Sequence, residues 1–160
     1  HPCRVDAAGP VTGVYDPVRM MQLIENLVEN AVKYSPEGGP VRVQVWQEAG
    51  TNHLSVTDSG IGIPTEDLPH VFERFHRGTN VDDRRFAGMG LGLFICRGIA
   101  EQHGGHIWAT RAPGRGSTFH VALPVAAPPG ESEPGAAPTQ EATPVAAAPA
   151  GPAQGGASHG

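Results

Sequence analysis

Asn26-Leu27-Val28-Glu29-Asn30-Ala31-Val32-Lys33-Tyr34-Ser35-Pro36 is the stretch from which the fold can be read. Met20, Ile24, Leu27 and Ala31 recur at the spacing of one helical face and form the expected buried stripe. Upstream, Asp16-Pro17 is a helix start, because Asp caps free N–H groups and Pro suits the first helical position. Downstream, Ser35-Pro36-Glu37-Gly38-Gly39-Pro40 ends the helix near Tyr34. Beside the apolar stripe, Asn26, Asn30 and Lys33 share a second face. Asparagine is a poor residue for a helix interior. An amide oxygen is a hard ligand suited to Mg²⁺, which takes few protein groups together with phosphate oxygens and water. A lysine one turn on would meet a phosphate. A solvated polar face accounts for the same three residues, and this stretch alone does not choose.

Outward from the helix, the pattern alternates. Residues 2 to 7 and 11 to 15 read as short strands around Gly9-Pro10. Val41, Val43 and Val45 alternate with Arg42, Gln44 and Trp46. After a turn at Gly50 and Asn52, Leu54 and Val56 alternate with Ser55 and Thr57, so the two strands pair as a hairpin. Residues 66 to 74 read as a short helix carrying Leu68, Val71 and Phe72, with Phe75 beside it. Residues 76 to 88 are polar and aperiodic, which predicts a mobile loop. A second helix runs from about Leu91 to His103 and stops at Gly104-Gly105. Residues 106 to 111 and 117 to 123 complete the set as strands around Pro113-Gly114-Arg115-Gly116. This order predicts an α+β, two-layer sandwich: one mixed, mostly antiparallel sheet with helices on one face.

Three further features carry chemistry. Asp58 continues the inward series Leu54, Val56, Asp58. A carboxylate on an apolar face is costly unless it is paired or hydrogen-bonded. Gly60-Ile61-Gly62 follows at once and lets a flat ligand approach the backbone, so Asp58 could accept an exocyclic amine; capping a turn is the plainer alternative. Gly88-Met89-Gly90-Leu91-Gly92-Leu93 runs into a helix, where free N–H groups favour an anion. It lacks the Gly-Lys-Ser/Thr of a Walker A loop and the preceding strand of a dinucleotide fold. Gly114-Arg115-Gly116-Ser117-Thr118, read alone, is a hairpin turn.

Composition sets the boundaries. The 160 residues carry a net charge of −5 without a basic run, so no nucleic-acid partner is expected. From Val125 onward the chain is almost wholly Ala, Pro, Gly, Glu, Ser and Thr. That predicts a folded domain over 1–124 and a disordered tail over 125–160. No apolar run approaches a membrane span and no secretory signal opens the chain. Cys3 and Cys96 have no metal-ligand spacing and fit a reducing cytoplasm.

Taken in order, these elements resemble the ATPase fold shared by histidine kinases, type II topoisomerases, the Hsp90 chaperones and the mismatch-repair protein MutL. They are most similar to the sensor histidine kinase branch. Asn26 to Pro36 looks like its N box and Asp58-Ser59-Gly60-Ile61-Gly62-Ile63-Pro64 like its G1 box. Val71-Phe72-Glu73-Arg74-Phe75-His76-Arg77-Gly78 looks like its F box, Gly88 to Leu93 like its G2 box, and Gly114 to Phe119 like its last glycine motif. The resemblance spans about residues 10 to 124.

The resemblance implies ATP and Mg²⁺ as ligands. Asn30 would bind the metal, Asn26 and Lys33 the phosphates, and Tyr34 would lie against the nucleotide. Asp58 would take the adenine amine in a pocket shaped by Gly60 and Gly62, with Thr118 closing its side. Gly90 and Gly92 would cradle phosphate, and Ile63, Phe75, Gly88 and Leu91 join the nucleotide-binding set. Residues 76 to 88 would be the lid. Arg77 matches an arginine that stabilises the transferring phosphoryl group, although a solvated lid residue fits equally. Hydrolysing members carry a water-activating glutamate where this chain has Asn26, while Glu25 and Glu29 fall elsewhere on the helix; that favours transfer over hydrolysis. Met89 replaces the commoner Thr or Ser of the G2 box, and its backbone N–H is kept.

None of the eight histidines sits on a helical hairpin. The phosphoacceptor is therefore expected on a separate dimerisation domain of a homodimeric, cytoplasmic or membrane-anchored parent, with a response regulator downstream and this part alone monomeric. The alternatives are an anti-sigma-type serine kinase and a degenerate nucleotide-binding or interaction module.

Overall fold

The computed structural model describes residues 1–82, 84, 86, 88–112 and 115–126. The expected tail lies outside the described residues beyond Ala126. The elements are β1 (Cys3–Ala7), α1 (Pro17–Lys33), β2 (Val41–Glu48), β3 (Thr51–Thr57), α2 (Gly92–Gln102), β4 (His106–Arg111) and β5 (Ser117–Pro124). They form one five-stranded sheet, ordered β1-β2-β3-β5-β4, and both helices pack on one side of it. β1 and β2 are parallel, and every other pair is antiparallel. The α+β sandwich with a mixed, mostly antiparallel sheet is thus observed.

α1 begins where the sequence placed it. Asp16 caps it by accepting from the N–H groups of Val18 at 2.9 Å and Arg19 at 3.1 Å. Its inward stripe is Leu23, Leu27 and Ala31, with Met20 partly covered. Ile24, expected in that stripe, lies at its flank and is exposed. Leu27 and Val56 are fully enclosed, and Cys96 of α2 packs among them as a core residue. Truncating such a Leu to Ala costs roughly 2–5 kcal/mol through lost transfer energy and the cavity left behind.

Pairing register fixes which residues face the helices. Val43 opposes Val56, Val56 opposes Phe119, and Leu54 opposes Val121. Asp58 and Ser117 continue this inward face at the end of the sheet near the start of α2. Among the described residues no helix packs on the outer face. There Trp46 stacks on His53, and Trp108 stacks on His120, both with ring centroids 5.0 Å apart.

Two expected elements are absent. Residues 11–15 form no strand; they are an extended loop held by the Tyr15 hydroxyl, which donates to the Pro124 carbonyl at 2.9 Å, and by Asn52, whose amide donates to Thr12 O and Tyr15 Oη. Residues 66–74 form successive turns instead of a helix. Pro69 has no N–H to give, and the bonds that form are short-range, from His70 N–H to Asp67 O and from Glu73 N–H to His70 O. Val71 and Phe72 still reach the core.

Candidate functional site

A cleft of about 560 Å³, open to solvent, lies between α1, the Asp58 end of the sheet and residues 76–81. Asn30, Tyr34, Asp58, Gly62, Ile63 and Arg77 line it, so these expected residues are brought together from three separate segments.

Asp58 is only 3% exposed, so its charge must be satisfied locally. Oδ1 accepts from the N–H of Gly60 at 2.8 Å and of Ser117 at 3.2 Å, and Oδ2 accepts from the Ser117 hydroxyl at 2.7 Å. A carboxylate offers roughly four acceptor positions. Three are filled by described residues, which leaves a position for a donor entering the cleft.

Two glycines make this geometry possible. A Cβ on Gly60 would sit 2.1 Å from the Tyr34 carbonyl oxygen, which also accepts from Ile61 N–H at 2.9 Å. A Cβ on Gly116 would sit 2.1 Å from the Asp58 carbonyl oxygen. The Asp58 loop, the end of α1 and the start of β5 are therefore in backbone contact.

The other end of the cleft is built for negative charge. Gly92 opens α2 with no side-chain cap, so the first N–H groups of the helix have no intrahelical partner. A Cβ at Gly92 would lie 3.7 Å from Asn26 Oδ1 and 4.0 Å from Asn30 Nδ2, which puts both asparagines beside that helix end. The Asn26 amide nitrogen is buried without a hydrogen bond of normal geometry and neighbours Cys96, whose thiol burial pushes up to about 12 against a smaller lowering by that amide. Lys33 Nζ lies 4.9 Å over the Tyr34 ring and close to Gly88. Gly90, at φ 67°, lets the backbone of Phe75 and His76 press against it, and Phe75 N–H donates to Gly90 O at 3.0 Å.

Several expected residues stand outside the cleft lining. Asn26, Lys33, Gly60, Gly88, Gly90, Leu91 and Gly92 are not among the residues that line it. Phe75 does not enter it: its side chain is 57% exposed, beneath the Arg74 guanidinium at 4.6 Å, and only its backbone serves the site. Thr118 also turns away, its hydroxyl 3.0 Å from that of Thr57 on the outer face. Ser117 occupies the position given to Thr118. The signal was available, because counting back from Val121 and Phe119 by twos reaches Ser117. Arg77 donates to the carbonyls of Gly88, at 3.1 Å, and Phe86. Phe86 in turn packs on Tyr34, with centroids 5.2 Å apart.

The family described as histidine kinase-, DNA gyrase B-, and HSP90-like ATPase matches residues 15–127. The chain belongs to this family. Within the histidine kinase-like ATPases, it is 42% identical over 111 residues to the sensor histidine kinase WalK of Bacillus subtilis, covering 68% of this chain and 18% of that protein. The chain thus spans under a fifth of that relative. Among solved structures, it resembles the mycobacterial sensor histidine kinase MprB, with TM-score 0.71, 32% identity, and coverage of 79% of this chain and 84% of that one. It also resembles full-length ShkA in complex with AMPPNP, with TM-score 0.68, 27% identity, and coverage of 79% and 26%. The fold is that of histidine kinase catalytic domains. Among the described residues no helix is long and apolar enough to cross a membrane.

Proposed function

We propose that this domain binds Mg-ATP and passes the γ-phosphoryl group to a histidine on a separate helical dimerisation domain, from which a response regulator takes it. The observation that carries this reading is Asp58: a buried carboxylate with three acceptor positions filled and one left toward the cleft. Adenine presents an amine that suits that position. Gly62 and Ile63 would bound the base, and Tyr34 would flank it.

The donor set fits magnesium. Among the described residues no group of three or more His, Cys, Asp or Glu side chains could hold a metal. Mg²⁺ needs no such group when phosphate oxygens and water fill most of its shell. Asn30, the cleft-lining amide, would hold it. When bound, the ion would offset charge on the phosphate oxygens. Lys33 and the N-terminus of α2 lie where the phosphates would extend. Arg77 would exchange its carbonyl partners for the terminal phosphate. Asn26 cannot take a proton from water, which supports transfer to a protein side chain over hydrolysis. A cytoplasmic location goes with this reading, since ATP is the donor.

Calorimetric titration with AMPPNP, with and without Mg²⁺, tests the site. Magnesium-enhanced binding that Asp58→Ala abolishes supports it, and a folded chain that binds nothing overturns it. Transfer to a supplied dimerisation domain should then yield an acid-labile phosphohistidine; an acid-stable phosphoserine on a partner would instead indicate a serine kinase.

A further inference from the structure

Residues 76–81 bring His76, Arg77, Gly78 and Asn80 to the cleft wall, yet this segment has neither helix nor strand to hold it. Besides the Arg77 bonds to Gly88 O and Phe86 O and a backbone bond from His76 N–H to Glu73 O, two side-chain ties hold it to the rest of the domain. One lies at the cleft, where the Asn80 amide donates to Gly62 O at 3.1 Å. The other comes from behind the wall. Asp67, only 4% exposed and outside the cleft lining, accepts through Oδ2 from the Thr79 N–H at 2.7 Å and the Thr79 hydroxyl at 2.9 Å. Its other oxygen, Oδ1, lies 3.4 Å from His76 Nε2. One carboxylate therefore reaches residues on both sides of Arg77.

Asp67 is itself fixed. Its N–H donates to Pro64 O at 3.0 Å and its carbonyl accepts from His70 N–H at 2.9 Å, within the proline-bounded turns that replaced the expected helix. The Thr79 N–H holds the Asp67 carboxyl below its ordinary value of 3.8, against an opposing effect of burial, with smaller lowering from the Thr79 hydroxyl, His76 and His70. It is therefore ionised at neutral pH, and its bonds to Thr79 are charge-assisted.

We propose that Asp67 is a positioning residue for the triphosphate: it sets the backbone on either side of Arg77, so that the guanidinium is presented to the terminal phosphate. The inference rests on the nucleotide reading above. It separates two parts of the site, since Asp67 makes no bond to Asp58 or to Gly60 and Ser117, which hold that carboxylate. Its loss should be felt at the phosphate end alone.

The test uses the full chain titrated with AMPPNP and, separately, with adenosine. Asp67→Ala should weaken AMPPNP on the order of tenfold, the size expected for losing hydrogen bonds to a charged group, and leave adenosine unchanged. Thr79→Val, which removes only the hydroxyl, should show a smaller loss of the same kind. In an Arg77→Ala background, Asp67→Ala should add nothing, because its effect passes through that side chain. Equal weakening of both ligands, or full additivity with Arg77→Ala, would overturn the proposal and leave Asp67 a residue of stability only. If Asp67→Ala does not fold, Thr79→Val decides: no selective loss of AMPPNP overturns it. A wild-type chain that binds neither ligand defeats the nucleotide reading itself, which is a different result.

Discussion

The Ser117 hydroxyl donates to Asp58 Oδ2 at 2.7 Å across 59 residues of sequence, and the Ser117 N–H donates to Oδ1 of the same carboxylate. The bond orients the carboxylate that the proposed reading assigns to the adenine amine. Ser117→Ala removes one donor and keeps the backbone one. ATP-analogue affinity should fall by about fivefold, in line with roughly 1 kcal/mol for a single hydrogen bond. Asp58→Asn should do far worse, because an amide N–H₂ turned to the cleft would oppose the base amine. Calorimetry on both variants checks the order; a Ser117→Ala chain with unaltered affinity would show the hydroxyl to be idle.

Gly60 has no room for a methyl group. Its added Cβ would stand 2.1 Å from a backbone oxygen, which no side-chain rotation relieves. Gly60→Ala should therefore separate the Asp58 loop from the end of α1 and cost about 1–3 kcal/mol or more, as overpacking does. Thermal melting should show a lowered Tm even without ligand. Gly9→Ala, at a glycine with nothing within 4 Å, provides the control.

Arg77 donates to two carbonyls of the loop, those of Gly88 and Phe86. If it meets the terminal phosphate during transfer, Arg77→Ala should reduce kcat by roughly 10²-fold or more, as loss of a charge-stabilising donor does, with a smaller change in ADP affinity. Single-turnover labelling of a supplied dimerisation domain measures the first and calorimetry the second. Equal losses in both would make Arg77 a binding residue only.

His120 gives the outer sheet face a pH dependence. Burial lowers its pKa from the ordinary 6.5, so the fold favours the neutral ring. The unfolded chain then binds the proton more readily just below pH 6.5, and stability is lost as the pH is lowered through that window. Above it the neutral ring costs nothing. His120→Gln should flatten the slope of urea midpoint against pH below 6.5; an unchanged slope would assign the dependence to other groups.

Elements set by local chemistry were legible in the sequence. Asp16-Pro17 announced α1, Gly104-Gly105 ended α2, and the alternation of Leu54, Val56 and Asp58 placed the carboxylate inward before any partner was known. What failed depended on distant pairing or on one overlooked residue. β1 joins β2 in parallel across the whole of α1, and no short-range pattern encodes that. Pro69 forbids the helix that the spacing of Val71 and Phe72 suggests. A motif match alone points to Thr118, whereas the strand register reaches Ser117. The Asp67–Thr79 bond spans twelve residues with no periodic signature, so only the folded chain reveals it.

The outer sheet face has a practical consequence. Both tryptophans of the chain, Trp46 and Trp108, stack there on imidazole rings, on the side of the sheet away from the helices. The emission of Trp108 will follow the protonation of His120, since a charged imidazole quenches an indole it touches, and both tryptophans will stay nearly silent when a ligand enters the cleft. An optical assay of occupancy therefore needs a new fluorophore at the cleft rim, and a fluorescence titration of the native chain reads acidity.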